Sequence, residues 1–141
     1  MRLRNERGLS TAMEAAILVP GILLLLGLLI LGARMSLAQQ AVDAAAAQAA
    51  RAASIERTIP LADTAARDAL ARALAQQNIT CSTTVVSLEL SGLQRPIGAP
   101  SSVGVTVACT VSMADVSLPG IPGQFTITAT KRSPVDAYRG R

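Results

Sequence analysis

The sequence predicts an α+β protein: a long N-terminal helix that crosses a membrane, a second helix, and a small antiparallel sheet of about three strands with one disulfide. Three observations predict it. Residues 15–33 form a run of nineteen without a charge. Residues 34–77 are rich in alanine and glutamine and hold a single proline, Pro60. From residue 79 the chain turns to β-branched runs separated by Gly and Pro clusters. These shifts divide it into a leader at 1–8, a membrane and stalk helix at 9–57, an α+β domain at 58–130 and a basic tail at 131–141.

As a helix, the uncharged run is about 28 Å long, close to the ~30 Å hydrocarbon core of a bilayer. Pro20, Gly21, Gly27 and Gly32 interrupt it, which membrane helices tolerate. Arg2, Arg4 and Arg7 precede it, opposed only by Glu6, so the positive-inside rule places the N-terminus in the cytoplasm and the rest outside. A cleaved secretory signal is the alternative, because Ser36-Leu37-Ala38 offers small residues where a signal peptidase reads. Its apolar region would normally span only ~7–15 residues, so a retained anchor is expected.

Beyond Arg34 nothing breaks a helix before Pro60, and the membrane helix is expected to continue to Ile55 or Glu56. Ala38, Ala41, Ala45, Ala49 and Ala52 follow helical spacing, either as a close-approach stripe for a neighbouring helix or as an ordinary stalk. A second helix is expected over 61–77, with Leu61, Ala65, Ala66, Ala69, Leu70, Ala73 and Leu74 as its apolar stripe and Asp63 in its first turn.

Strands are expected at 79–90, 103–113 and 125–130. In the second, Val103, Val105, Val107, Cys109, Val111 and Met113 share a face. In the third, Phe125 and Ile127 point inward. The first changes phase at Val85-Val86, where a bulge is expected. The second helix covers one face of the sheet. Cys81 and Cys109 fall on strands outside the membrane, where disulfides persist. Their bridge closes a loop of roughly 28 residues and stabilises the domain by about 3.5 kcal/mol in the chain-entropy account. Two buried thiols are the alternative.

Net charge is +4, with thirteen basic residues against nine acidic. The basic residues are scattered and no aromatic residues interleave with them, so a nucleic-acid partner is not expected. The chain has no histidine. With no nucleophile–base pair, phosphate loop or cluster of metal ligands, neither catalysis, a metal, a cofactor nor a small-molecule substrate is expected. The tail KRSPVDAYRGR reads as a solvated end, with a partner contact as the alternative.

One charge needs an explanation. Glu14 opens the apolar run, and a lone carboxylate in lipid costs about 2.5 kcal/mol or more at the bilayer centre. Two readings stand: an interfacial charge favoured by the helix N-terminal dipole, or a carboxylate paired with an amine on a neighbouring chain. The order of basic leader, Gly8, short neutral stretch, Glu14 and apolar helix resembles the class III signal of type IV pilins and pseudopilins. That resemblance implies a prepilin peptidase cutting between Gly8 and Leu9, and an acidic assembly residue at Glu14 paired with a neighbour's terminal amine. Glu14 stands sixth from Leu9, one place later than is usual in pilins. Leu9 and Glu14 are about 7.5 Å apart along a helix and on different faces, so a partner on a staggered neighbour is the simpler geometry. Pro20 would let the helix bend between membrane and filament.

Taken in order, RGLSTAMEAAILVPG, AARAASIER, two extracytoplasmic cysteines and SLPGIPGQFTITATKRSPVDAYRGR are similar to the TadE-like family in its actinobacterial form. The resemblance implies a minor pseudopilin of the Tad (tight adherence) system, which builds Flp-type pili. Its expected partners are membrane lipid, the prepilin peptidase, other pilins and pseudopilins, and the Tad assembly platform. An unprocessed single-pass adaptor and a secreted binding module are the rival expectations.

Overall fold

Alanine and leucine carry the first helix through fifty residues, and the next proline in the sequence opens the second. The computed structural model describes residues 6–112 and 123–138, with side chains from residue 13 onward. Helix α1 spans Glu6–Ile55 with Pro20 inside it, and helix α2 spans Ile59–Gln76. Strands β1 (Cys81–Glu89), β2 (Ser101–Ser112) and β3 (Gln124–Val135) follow, with a 3-10 turn at Ser91–Gln94 between the first two strands. The chain divides into two units, Met1–Ser36 and Leu37–Arg141, and α1 contributes to both. Met113, Asp115 and most of the loop before β3 lie outside the described residues.

Helix α2 starts two residues earlier than its sequence pattern indicates. Thr58 is the extended N-cap, and Pro60 stands in the first turn, where its missing N–H costs nothing. The earlier start moves Asp63 out of the first turn. Its carboxylate instead accepts hydrogen bonds from Arg67 Nε (2.9 Å) and Nη2 (3.2 Å), one turn on. Those bonds hold the Asp63 carboxyl below its usual pKa and raise that of the Arg67 guanidinium. At its other end α2 closes in a Schellman motif. Asn78 takes the left-handed conformation (φ 53°), Ile79 N–H donates to Leu74 O, and Asn78 N–H donates to Ala75 O. Ile79 then packs on the core.

The three strands are antiparallel in the order β1-β2-β3. Central β2 supplies the deepest side chains: Val103, Val105, Val107 and Cys109 are fully buried. Ile127 lies opposite Cys109 and is buried as expected, whereas Phe125, opposite Val111 near the strand end, stays 39% exposed. Strand β3 runs five residues past its expected end, so Lys131 to Val135 pair with β2 rather than begin a tail.

The bulge in β1 lies between Cys81 and Thr83, not at Val85-Val86, which pair regularly with Ala108 and Val107. Its position has a consequence. Without the extra residue, the two-residue period would put Cys81 on the face opposite Cys109. With it, Cys81 stands opposite Val111 and faces the core side, and the Cys81–Cys109 disulfide forms across a Cα separation of 5.4 Å. The Ser82 hydroxyl donates to Thr110 O at 3.0 Å and fastens the bulged residue to β2.

One face of this sheet is covered by two helices rather than one. Val42, Ala45, Ala46, Ala49, Ala50 and Ala53 of α1 are fully buried in the same cluster as Ala62, Ala66, Leu70, Ala73 and Leu74 of α2. Leu61, expected in that stripe, is 56% exposed, and Ala62 takes its place.

Candidate assembly segment

In the first unit every Leu, Ile, Val and Met from residue 13 to residue 30 is at least 49% exposed. Leaving an aliphatic side chain in water rather than burying it forfeits about 1.5 kcal/mol or more. Twelve such side chains on one helix make a surface that suits lipid or neighbouring helices better than water. The helix is long and apolar enough to cross a membrane, and it fits membrane anchoring.

Glu14 is exposed on this helix and forms no ion pair among the described residues. Because α1 begins at Glu6, Glu14 lies two turns inside it. The helix dipole acts mainly on the first turn, so an N-terminal capping role does not suit Glu14 in the intact chain. Gly8 and Leu9 lie within the helical backbone, and Pro20 is enclosed by helix on both sides. Leu9, Glu14 and Pro20 are thus strung along one element, whereas Cys81 and Cys109 are brought together by the sheet.

The second unit contains couplings that the sequence reading did not identify. Asp43 of α1 pairs with Lys131 of β3 at 3.1 Å. The buried Ser54 hydroxyl donates to Arg51 O at 2.8 Å and accepts from Ser133 Oγ at 3.0 Å. These contacts tie the alanine segment to the sheet and leave the buried hydroxyl satisfied. The available signal was an isolated Asp and Ser in an alanine run. Their partners lay in residues read as a tail. The open face of the sheet carries hydroxyl pairs, Thr106 with Thr130 and Thr110 with Thr126, and the Glu89–Arg132 ion pair.

No curated protein and no solved structure matches the chain. A family model described as TadE-like protein matches residues 10–51. The match takes in Glu14, Pro20, the apolar run and most of the alanine segment, and it ends before α2 and the sheet. Over residues 10–51 this chain is similar to the TadE-like family.

Proposed function

We propose that this protein is a TadE-like minor pseudopilin, a non-catalytic component of Tad pilus assembly anchored in the membrane by the first part of α1. The observation that carries the reading is the largely exposed aliphatic surface of residues 13–30 with a carboxylate near its start, inside the segment that matches the family. A prepilin peptidase cuts between Gly8 and Leu9 on the cytoplasmic face. Glu14 then pairs with the new terminal amine of a neighbour, which offsets the cost of holding a carboxylate at the lipid boundary. Pro20 supplies the bend as the helix moves from lipid to filament, and the unit built on the sheet stands outside the membrane against other pilus subunits.

The test is the mass and N-terminal sequence of the mature protein from membranes of cells with an active prepilin peptidase. A start at Leu9 is expected. A start at Met1 would leave an unprocessed anchored adaptor, and a start at Gln39 a secreted domain whose chain begins inside the core helix. Replacing Glu14 by alanine should abolish assembly while leaving membrane insertion intact.

A further inference from the structure

The two outer strands of the sheet close in matched ways. In β1, residues 82–88 carry no charge and Glu89 ends the strand. In β3, residues 124–130 carry no charge, and Lys131, Arg132 and Pro134 follow. Each of these strands pairs with β2 alone, so each has one backbone edge with no strand beside it. Edge strands are commonly guarded against further pairing by charges, proline and bulges. Here the guards stand at the strand ends, and seven residues of each edge lie between them.

The direction of the free backbone groups follows from Pro134. A proline in a sheet is accommodated where its missing N–H faces away from the neighbouring strand. Pro134 pairs with Ser102, and the β2–β3 register continues to Gln124 without a shift. Backbone groups alternate sides along a strand, so Thr126, Thr128, Thr130 and Arg132 also turn theirs outward. The threonines agree. The hydroxyls of Thr126 and Thr130 lie 3.0 and 3.1 Å from those of Thr110 and Thr106, the close approach of pairs that exchange no backbone bonds. Carried through β2, the same alternation turns Thr84, Val86 and Leu88 outward on β1.

We infer that the β3 edge of one copy of this chain pairs with the β1 edge of a second copy. Both strands run antiparallel to β2, so they join in parallel and successive copies keep one orientation. Charge selects this pairing. Strand β3 has no acidic residue, so β3 against β3 offers Lys131 and Arg132 no carboxylate. The only charge of β1 is Glu89, so β1 against β1 offers it no cation. Within one copy Arg132 Nη2 donates to Glu89 Oε2 at 2.9 Å. Gly104 between them leaves room for that bond, since a Cβ there would lie 3.2 Å from the same oxygen. Setting Arg132 beside Glu89 of the next copy continues the row, and each arginine then lies between two carboxylates. That register also sets Thr130, Thr128 and Thr126 beside Ser87, Val85 and Thr83, all on the open face, so the two uncharged stretches coincide. Pairing stops just beyond, at Pro134, which has no N–H to give. Such a head-to-tail interface extends from copy to copy. The inference does not depend on cleavage at Gly8 or on Glu14.

The experiment is sedimentation velocity of the full-length chain in zwitterionic micelles held in excess over the chain. Thr128→Pro removes an outward N–H from β3, and Thr84→Pro removes one from β1. Neither N–H bonds within the sheet, and far-UV circular dichroism checks that both variants fold. Wild type should form a concentration-dependent series of oligomers, and each variant alone should stay monomeric. An equimolar mixture of the two should form a 1:1 complex and nothing larger, because one supplies an intact β3 edge and the other an intact β1 edge. Self-association of Thr84→Pro would mean β3–β3 pairing, and self-association of Thr128→Pro would mean β1–β1 pairing. Either result overturns the inference, as does a mixture or a wild type that stays monomeric at submillimolar chain. Hydrogen exchange on wild type decides the matter if a variant does not fold. From micromolar to submillimolar chain, the amides of Thr84, Val86, Thr126, Thr128 and Thr130 should slow about tenfold or more. Unchanged exchange at these amides would overturn the inference.

Discussion

Two stretches of one helix, residues 13–30 and 38–53, treat apolar side chains in opposite ways. The first exposes large ones: Ile17 is 76% exposed and Leu23 62%. The second buries small ones, with Ala45, Ala49 and Ala53 fully enclosed. Backbone and helix are shared, so the difference comes from the surroundings each stretch meets. Alanine lets the helix approach a sheet closely, and nearby Asp43 and Ser54 fix it there through Lys131 and Ser133. Among the described residues nothing covers the projecting leucines and isoleucines of 13–30, which suits a helix in lipid. Hydrophobicity alone does not separate an anchor from a core helix. Side-chain size and the positions of its few polar residues do.

The largest effect expected from breaking this contrast lies in the second unit. Replacing Cys81 and Cys109 together by serine should cost about 3.5 kcal/mol in the stability of that unit, measured by denaturant unfolding under far-UV circular dichroism. Membrane insertion should be unchanged. The converse variant, Leu24→Arg, should penalise insertion by about 2.5–3.5 kcal/mol and leave unfolding of the second unit alone. Partition between membrane and soluble fractions reads it.

Size substitutions sharpen the comparison. Ala49→Leu overfills the interface and should destabilise the second unit by about 1–3 kcal/mol. Leu24→Ala should change that unfolding by less than about 0.5 kcal/mol. Equal effects would show that the two stretches share one environment.

The smallest effect concerns Asp63 and Arg67, on the exposed face of α2. The folded Asp63 carboxyl lies below its usual pKa, so the pair stabilises the fold above the usual carboxylate range and loses that contribution as pH falls through the depressed value. Wild type and Asp63→Asn should therefore differ slightly near neutral pH and converge in acid. A scan of unfolding midpoints against pH tests this.

Much of the fold was legible because it follows from local chemistry. The uncharged run, the alanine stretch and the alternation of β2 each name their element by period and composition. The proposed processing and assembly positions Gly8, Leu9 and Glu14 rest on a sequence pattern alone. Less legible were features that depend on what lies opposite. The change of phase along β1 indicated a bulge, but its position at Ser82 depends on pairing with β2, since either site restores the phase of Val86 and Leu88. The end of β3 was missed because KRSPV has strand character only when β2 is there to pair with it.

By itself, then, the sequence determined two helices, three strands, the long apolar segment and the cysteine pair, since backbone propensity and side-chain period act over a few neighbouring residues. Tertiary structure alone decided that the alanine segment is core rather than stalk, and that Cys81 turns to the same face as Cys109. It also decided that Glu89 and Arg132, forty-three residues apart in the chain, form an ion pair across Gly104. Each of these depends on which distant segment supplies the opposing surface, and close packing and charge pairing are settled only when both surfaces are present.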